Sequence, residues 1–187
     1  MSKKSQELFR YKYHKNYDVQ AIKDEVLKLE EEWLKDTSRQ ELFAVHKETV
    51  TVFLTDYSLE WQLYKSYAGT IREPESVLYK LVEPIIKDLE RLHNGRVGRV
   101  IFPKLKAGKK IDEHTDGGDY LNVSRRHHIP IVTNNKVFFA IDQGLLNMHE
   151  GECWEINNMR PHEVTNDSKE DRVHLLIDII PNEYIGE

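Results

Sequence analysis

The sequence predicts a mainly β fold with flanking α-helices, arranged as a sandwich or double-sheet jelly roll. Three observations point there. From residue 96 onward, short β-rich runs recur with turn residues between them. Before residue 95, two longer stretches carry apolar residues near a 3.6-residue period. At 187 residues, 39% of them hydrophobic, the chain suits one domain with a sizeable core.

Residues 8–13 alternate as a strand does. Asp18 is placed to cap a helix running to about Lys35, because Ile22, Val26, Leu27, Leu29 and Trp33 recur along one face. Residues 50–54, rich in valine with threonine interleaved, read as a strand. Pro74 sits at the first turn of a second helix, from Glu75 to about Leu92, which Asn94-Gly95 ends. Pro84 is expected to kink or divide it. Residues 96–105 form the next strand and end in the turn Ala107-Gly108. Four more strands are expected over residues 127–132, 137–141, 152–156 and 172–180. The aromatic stretch 57–67, with Trp61, Tyr64 and Tyr67, reads as packing against the barrel, with a substrate lid as the alternative. No repeat, low-complexity tract or linker interrupts the chain. The expected plan is one domain over residues 1–187. Residues 1–95 form a support region of helices and strands, and residues 96–181 form a jelly-roll core that carries the site.

A formal net charge of -5, with basic residues dispersed among acidic ones, gives no general attraction to nucleic acid or an anionic membrane. Cys153 is the only cysteine, so no intrachain disulfide forms and a reducing compartment is expected. No apolar leader or span-length stretch is present, and a cytoplasmic location is the expectation.

The residues that carry chemistry are His114-Thr115-Asp116, the later His162, and Arg172. Two imidazoles and one carboxylate form the ligand set of non-haem Fe(II) sites that keep three positions open for a co-substrate and O2. On a strand, residues i and i+2 share a face, so His114 and Asp116 can point together into a barrel, and His162 from a later strand can complete the set. With nine histidines in the chain the spacing alone also arises by chance, and surface residues are the alternative. The turn at Ala107-Gly108 and the break at Gly117-Gly118 place the pair at a strand end. Arg172 opens the most apolar strand of the protein and shares a face with His174, Leu176 and Asp178. A guanidinium there needs an anion: either a bound carboxylate or an ion pair with Asp171 or Asp119. Arg126 and His128 alternate together, away from His127, as further donors for an anionic ligand or as a surface basic cluster. His149 reads as an exposed turn residue, His174 as a hydrogen-bonded interior histidine, and Cys153 as no nucleophile. Asn157 and Asn158 read as turn residues, with a role in orienting the ligands as the alternative.

Over residues 98–181 these blocks fall in a specific order. They are Ile-Phe-Pro-Lys-Leu-x-Ala-Gly-x-x-Ile-x-x-His-x-Asp, then Arg-x-His-x-Pro-Ile, then Gly-Glu-x-Trp-Glu-Ile-Asn-Asn-x-x-x-His-x-Val-x-Asn, then Asp-Arg-Val-His-Leu-Leu-Ile-Asp. This series resembles the aspartyl/asparaginyl β-hydroxylase family of Fe(II)- and 2-oxoglutarate-dependent dioxygenases. The resemblance implies a double-stranded β-helix, the cupin-like form of jelly roll, with His114, Asp116 and His162 as iron ligands. It also implies that Arg172 pairs with the distal carboxylate of 2-oxoglutarate, with Arg126 and His128 assisting. Some members have glycine in place of the ligand carboxylate; here Asp116 is present, which favours hydroxylation over halogenation. The implied activity is hydroxylation of an unactivated C–H bond of an amino acid, free or in a peptide, with Fe(II), 2-oxoglutarate and O2. A non-catalytic cupin-like module binding a metal or anion is the alternative, and an interaction domain built on the helical half is a third reading that no residue singles out.

Overall fold

The computed structural model describes residues 9–37, 41, 44–56 and 70–185; the aromatic stretch 57–67 lies outside the described residues. Strands β1 (Tyr11–Asn16), β2 (Thr49–Asp56), β3 (Thr70–Ile71), β4 (Gly95–Leu105), β5 (Lys110–His114) and β6 (Arg125–Val132) come first. They are followed by β7 (Val137–Ile141), β8 (Gly144–Leu146), β9 (Glu152–Ile156), β10 (His162–Asn166) and β11 (Arg172–Pro181). The helices are α1 (Gln20–Val26), α2 (Val77–His93) and α3 (Asp119–Val123). The larger sheet has the order β1-β9-β6-β11-β4-β2-β3 and the smaller β5-β10-β7-β8, with antiparallel pairing throughout. This is the jelly roll, and β1 and β2 from the N-terminal half extend its larger sheet.

Period-2 alternation gives that sheet two different faces. Val173, Leu175, Ile177 and Ile179 of β11, with Ile129 and Ile131 of β6, pack against Ile22 and Val26 of α1 and Val82, Ile86 and Leu89 of α2. On the opposite face, Leu105 and Ile156 meet Ile111, Phe139, Ile141 and Val164 of the smaller sheet. The polar residues of the site lie on this second face, between the sheets.

The helices depart from the sequence expectation in two ways. The first stops at Val26 instead of continuing to Lys35, and the chain resumes as a 3-10 turn at Glu32–Leu34. Continuing would hold the consecutive Glu30, Glu31 and Glu32 at the negative end of the helix dipole. The break also lets Trp33, 5% exposed, lie under Lys104, whose Nζ is 4.3 Å from the ring centre. Helix α2 begins at Val77, capped by Ser76, and runs unbroken through Pro84 to the left-handed Asn94. An interior proline costs about 3 kcal/mol. Six buried side chains on its inner face (Leu78, Tyr79, Val82, Ile85, Ile86 and Leu89) outweigh that, at roughly 1.5–3 kcal/mol each for the large apolar ones. No helix among the described residues is long and apolar enough to cross a membrane.

Gly151 ties three elements at one point. Its N–H donates to the carbonyl of Pro130, its carbonyl accepts from Tyr17 N–H, and β9 begins one residue later. Its φ is +81°, and an added Cβ would lie 2.3 Å from the Tyr17 carbonyl oxygen. Gly151→Ala is expected to cost about 1–3 kcal/mol, read as a lower urea midpoint with an unchanged m value.

Candidate functional site

Strands β5 and β10 pair so that His114 and His162 lie directly opposite one another, with ring centres 4.3 Å apart. Each ring is fixed the same way by its own chain. His114 Nδ1 donates to the carbonyl of Asp112 and His162 Nδ1 to that of Arg160, both at 2.8 Å. These bonds leave each Nε2 with its lone pair, the arrangement metal-binding histidines use. The flat ring of Phe139 stacks on His162 at 5.5 Å.

Asp116 is brought to them by a route other than the strand alternation the sequence suggested. Strand β5 ends at His114, and Asp116 lies two residues beyond it. Its N–H donates to the carbonyl of Asn158 at 2.9 Å, while the Asn158 side chain bonds the carbonyl of Leu121. The loop before β10 thus holds the loop after β5. Asp116 Oδ1 comes within 3.9 Å of His114 Nε2, and the donor atoms of His114, Asp116 and His162 all lie within 4.8 Å of one another. Asn157 is occupied elsewhere, bonding the Phe9 carbonyl and Met159 N–H.

Arg126 is bound on both sides. Its Nε and Nη2 donate to the two oxygens of Asp178, each at 2.8 Å, and its Nη1 donates to Asp116 Oδ2. Asp178 is 1% exposed and also accepts from the hydroxyl of Tyr120, with Arg99 Nε 3.5 Å away. Burial opposes the charge on Arg126, but Asp178 and Asp116 more than offset it and raise its pKa. Burial likewise opposes ionisation of Asp116, yet Arg126 and the two imidazoles hold its carboxyl well below the usual carboxylate range. Burial pushes His162 below the ordinary imidazole value, so it is neutral at neutral pH. Two imidazole nitrogens and one carboxylate oxygen thus face a common point, a donor set that fits a divalent iron.

Arg172 is the contrasting case. It is 2% exposed, and among the described residues no carboxylate pairs with it. Its Nη2 lies 2.7 Å from His174 Nδ1, and its Nε has no hydrogen-bond partner. Burial alone pulls the guanidinium down to about 9. Asp171, one of the two ion-pair partners the sequence offered, instead accepts from Ala107 N–H and lies 4.0 Å from Lys104. His128, 7% exposed, lies between the two regions, with its ring near Phe139 and His174 and its Nδ1 without a partner.

A small open cleft is lined by His114, Asp116, His162, Arg126 and His128. Beside it, Arg172 and His174 line a small, narrow cavity, and Phe139 and Val164 line both. The orphaned guanidinium and the donor triad therefore face adjoining spaces, which suits an acid anchored at one end on a metal. His46, at the mouth with its ring 5.7 Å from that of His114, carries no signal in sequence spacing.

The family model described as aspartyl/asparaginyl beta-hydroxylase matches residues 16–181. The chain belongs to this family. It is accordingly a 2-oxoglutarate-dependent dioxygenase that uses Fe(II) and O2. No curated protein sequence matches it. Among solved structures, a viral collagen prolyl hydroxylase from Paramecium Bursaria Chlorella virus-1, in complex with 2-oxoglutarate, is similar over 93% of this chain and 97% of its own, with 8% identity and a TM-score of 0.61. An oxidoreductase of the 2-oxoglutarate-Fe(II) oxygenase family from Burkholderia pseudomallei is similar over 89% and 93%, with 10% identity and a TM-score of 0.52. At these identities the likeness is one of fold.

The remaining reactive side chains of this dioxygenase lie apart from the cleft. Cys153 is fully buried on the helix face, and burial pushes its thiol up to about 12. His149 is exposed in the connection before β9. Asp178, which the period-2 pattern had placed on the face of Arg172, emerges as the group that anchors Arg126. Asp178→Asn should therefore loosen Asp116 without removing any of the three donors. The expected result is Fe(II) affinity at this site weakened by about 10–100-fold, followed by the visible absorption of the anaerobic Fe(II)–2-oxoglutarate complex.

Proposed function

We propose that this dioxygenase hydroxylates an unactivated C–H bond of an amino acid, free or within a peptide, from one dioxygenase domain spanning residues 1–187. His114, Asp116 and His162 hold Fe(II), and Arg172 receives the distal carboxylate of 2-oxoglutarate. The observation that carries this reading is the buried Arg172 with no carboxylate partner among the described residues, in a cavity adjoining the three-donor cluster. Isolating a guanidinium in a protein interior costs several kcal/mol, and a carboxylate held by parallel hydrogen bonds offsets that cost.

Each residue then has a definable task. His114 and His162 present Nε2, because their Nδ1 protons are committed to backbone carbonyls. Arg126 takes one oxygen of Asp116 and leaves Oδ1 towards the imidazoles. His128 lines the cleft between Arg126 and Arg172, and its unpartnered Nδ1 serves the co-substrate. Phe139 and Val164 line both spaces and give the boundary between them an apolar surface. Bound there, Fe(II) with 2-oxoglutarate and O2 supplies the oxidising power, with succinate and CO2 as the other products. The carboxylate donor at Asp116 fills the position that a halide would need, which favours hydroxylation.

Two substitutions test this assignment in the anaerobic complex. His162→Ala is expected to abolish the Fe(II)–2-oxoglutarate absorption band. Arg172→Ala is expected to weaken 2-oxoglutarate by roughly 30-fold or more while sparing iron, from the about 2–5 kcal/mol that a buried charge partner is worth. A band that survives His162→Ala, or 2-oxoglutarate binding indifferent to Arg172, would overturn the assignment. Substrate-stimulated succinate release from a panel of amino acids and short peptides identifies the substrate class.

A further inference from the structure

The helix-facing side of the larger sheet carries a second convergence of donors, remote from the cleft. His127 is the next residue after Arg126 and therefore points through the opposite face of β6. Its direct cross-strand partner on β9 is Glu155. His93, the last residue of α2, brings its Nε2 to 2.9 Å from His127 Nε2. His14 comes from β1 and brings its Nε2 to 3.4 Å from Glu155 Oε2. The ladder between β1 and β9 shifts register between Tyr13 and Lys15, so His14 is the extra residue of a bulge that turns it towards this point. The donor atoms of His14, His93, His127 and Glu155 all lie within 4.8 Å of one another.

We propose that His14, His93, His127 and Glu155 form a second, structural site for a divalent transition metal, with zinc as the best-fitting ion. Three imidazoles and a carboxylate make a closed four-coordinate N3O set, whereas the site in the cleft has three donors and open positions. Donors of a tetrahedral zinc site stand about 3.3 Å apart, close to the separations found here. The supporting groups are in place as well. His127 Nδ1 lies 3.3 Å from the carbonyl of Ile177, which leaves Nε2 as the ligand atom. Arg125 Nη1 bonds Glu155 Oε1 at 3.3 Å and leaves Oε2 towards His14. Hydrogen bonds account for the His93–His127 contact and an ion pair for His14 with Glu155, whereas a bound ion engages all four converging donors at once. Burial also pushes His93 down to about 4 and His127 down to about 3, so both are neutral at physiological pH. Such an ion would fasten the edge strand β1 and the end of α2 to the middle of the sheet.

The primary measurement leaves this cluster intact. The full chain carrying His114→Ala and His162→Ala, which removes the ligands in the cleft, is loaded with Zn2+ or Co2+, desalted and analysed for metal. The expected result is one retained equivalent, with a Co2+ spectrum of the intensity that four-coordinate cobalt gives. Adding His14→Asn and His93→Gln, both at partly exposed positions, should weaken Zn2+ by at least about 100-fold, beyond the loss of a merely supporting group. In the otherwise wild-type chain these two changes should leave the Fe(II)–2-oxoglutarate band in place, and circular dichroism reports that the sheet is folded. Absence of tightly held metal in the first protein, or unchanged affinity and spectrum in the second, would overturn the proposal. Neither result bears on the iron assignment in the cleft.

Discussion

The buried series Asp178–Arg126–Asp116 is the interaction on which the site depends. One guanidinium in the interior bridges two carboxylates, and the geometry divides its donors between them. Asp178 takes two parallel hydrogen bonds and fixes the plane of the guanidinium, which determines where the third donor points. The ligand loop beyond β5 is otherwise held by backbone bonds, from Asp116 N–H to the Asn158 carbonyl and from Asn122 N–H to the Gly118 carbonyl. Arg126 therefore converts the rigidity of the central strands β6 and β11 into a defined position for a loop carboxylate.

The second arginine on the same face, Arg172, is held quite differently. Arg126 is bound by two carboxylates, which raise its pKa against the effect of burial; Arg172 has an imidazole and, among the described residues, no carboxylate beside it, and burial acts unopposed. The fold bears the desolvation of Arg172 without recovering it internally. Its buried apolar surroundings, the two-sided core around β11, provide the stability that makes this tolerable. Under the proposed assignment, a dicarboxylic acid bound there recovers energy that folding left unsatisfied and gains affinity at the end remote from the reacting atoms.

Much of this was readable because strands impose a period of two. The faces of β6 and β11 followed directly from alternation, which separated Arg126 and His128 from His127 and put Arg172 beside His174. The strands at 137–141 and 152–156 were legible from their β-branched and aromatic content. What escaped was whatever depends on irregular backbone or on distant partners. Asp116 reaches its neighbours through a loop-to-loop hydrogen bond, which no periodicity encodes. The early end of α1 reflects three successive glutamates, a local electrostatic signal that apolar periodicity does not register, and the placement of Trp33, a tertiary matter. Strand β8 is three residues long and adjoins a turn, too short for alternation to register. His46 enters the cleft mouth from a 3-10 turn, and His14 depends on a bulge in its strand pairing. The family itself was legible because several ordered blocks fall on successive strands, each weak alone.

The pairing of β6 has a consequence for how the protein must fold. His127 and His128 are adjacent in the chain but belong to opposite sides of one sheet, a single strand thick. A slip of β6 by one residue against β11 would exchange the two sides wholesale, turning His127 inward and sending Arg126 and His128 to the helices. Apolar patterning resists this slip weakly in the first half of the strand, where Arg125, Arg126, His127 and His128 are all polar. The Arg126–Asp178 pair, directly opposite in the ladder, resists it strongly. In a slipped sheet both ions would be stranded in the interior, each without its counter-charge, at a cost of several kcal/mol. The pair that orients the candidate iron ligand is thus also a register key, and the chain is discouraged from completing its sheet in any alignment that would scramble the site.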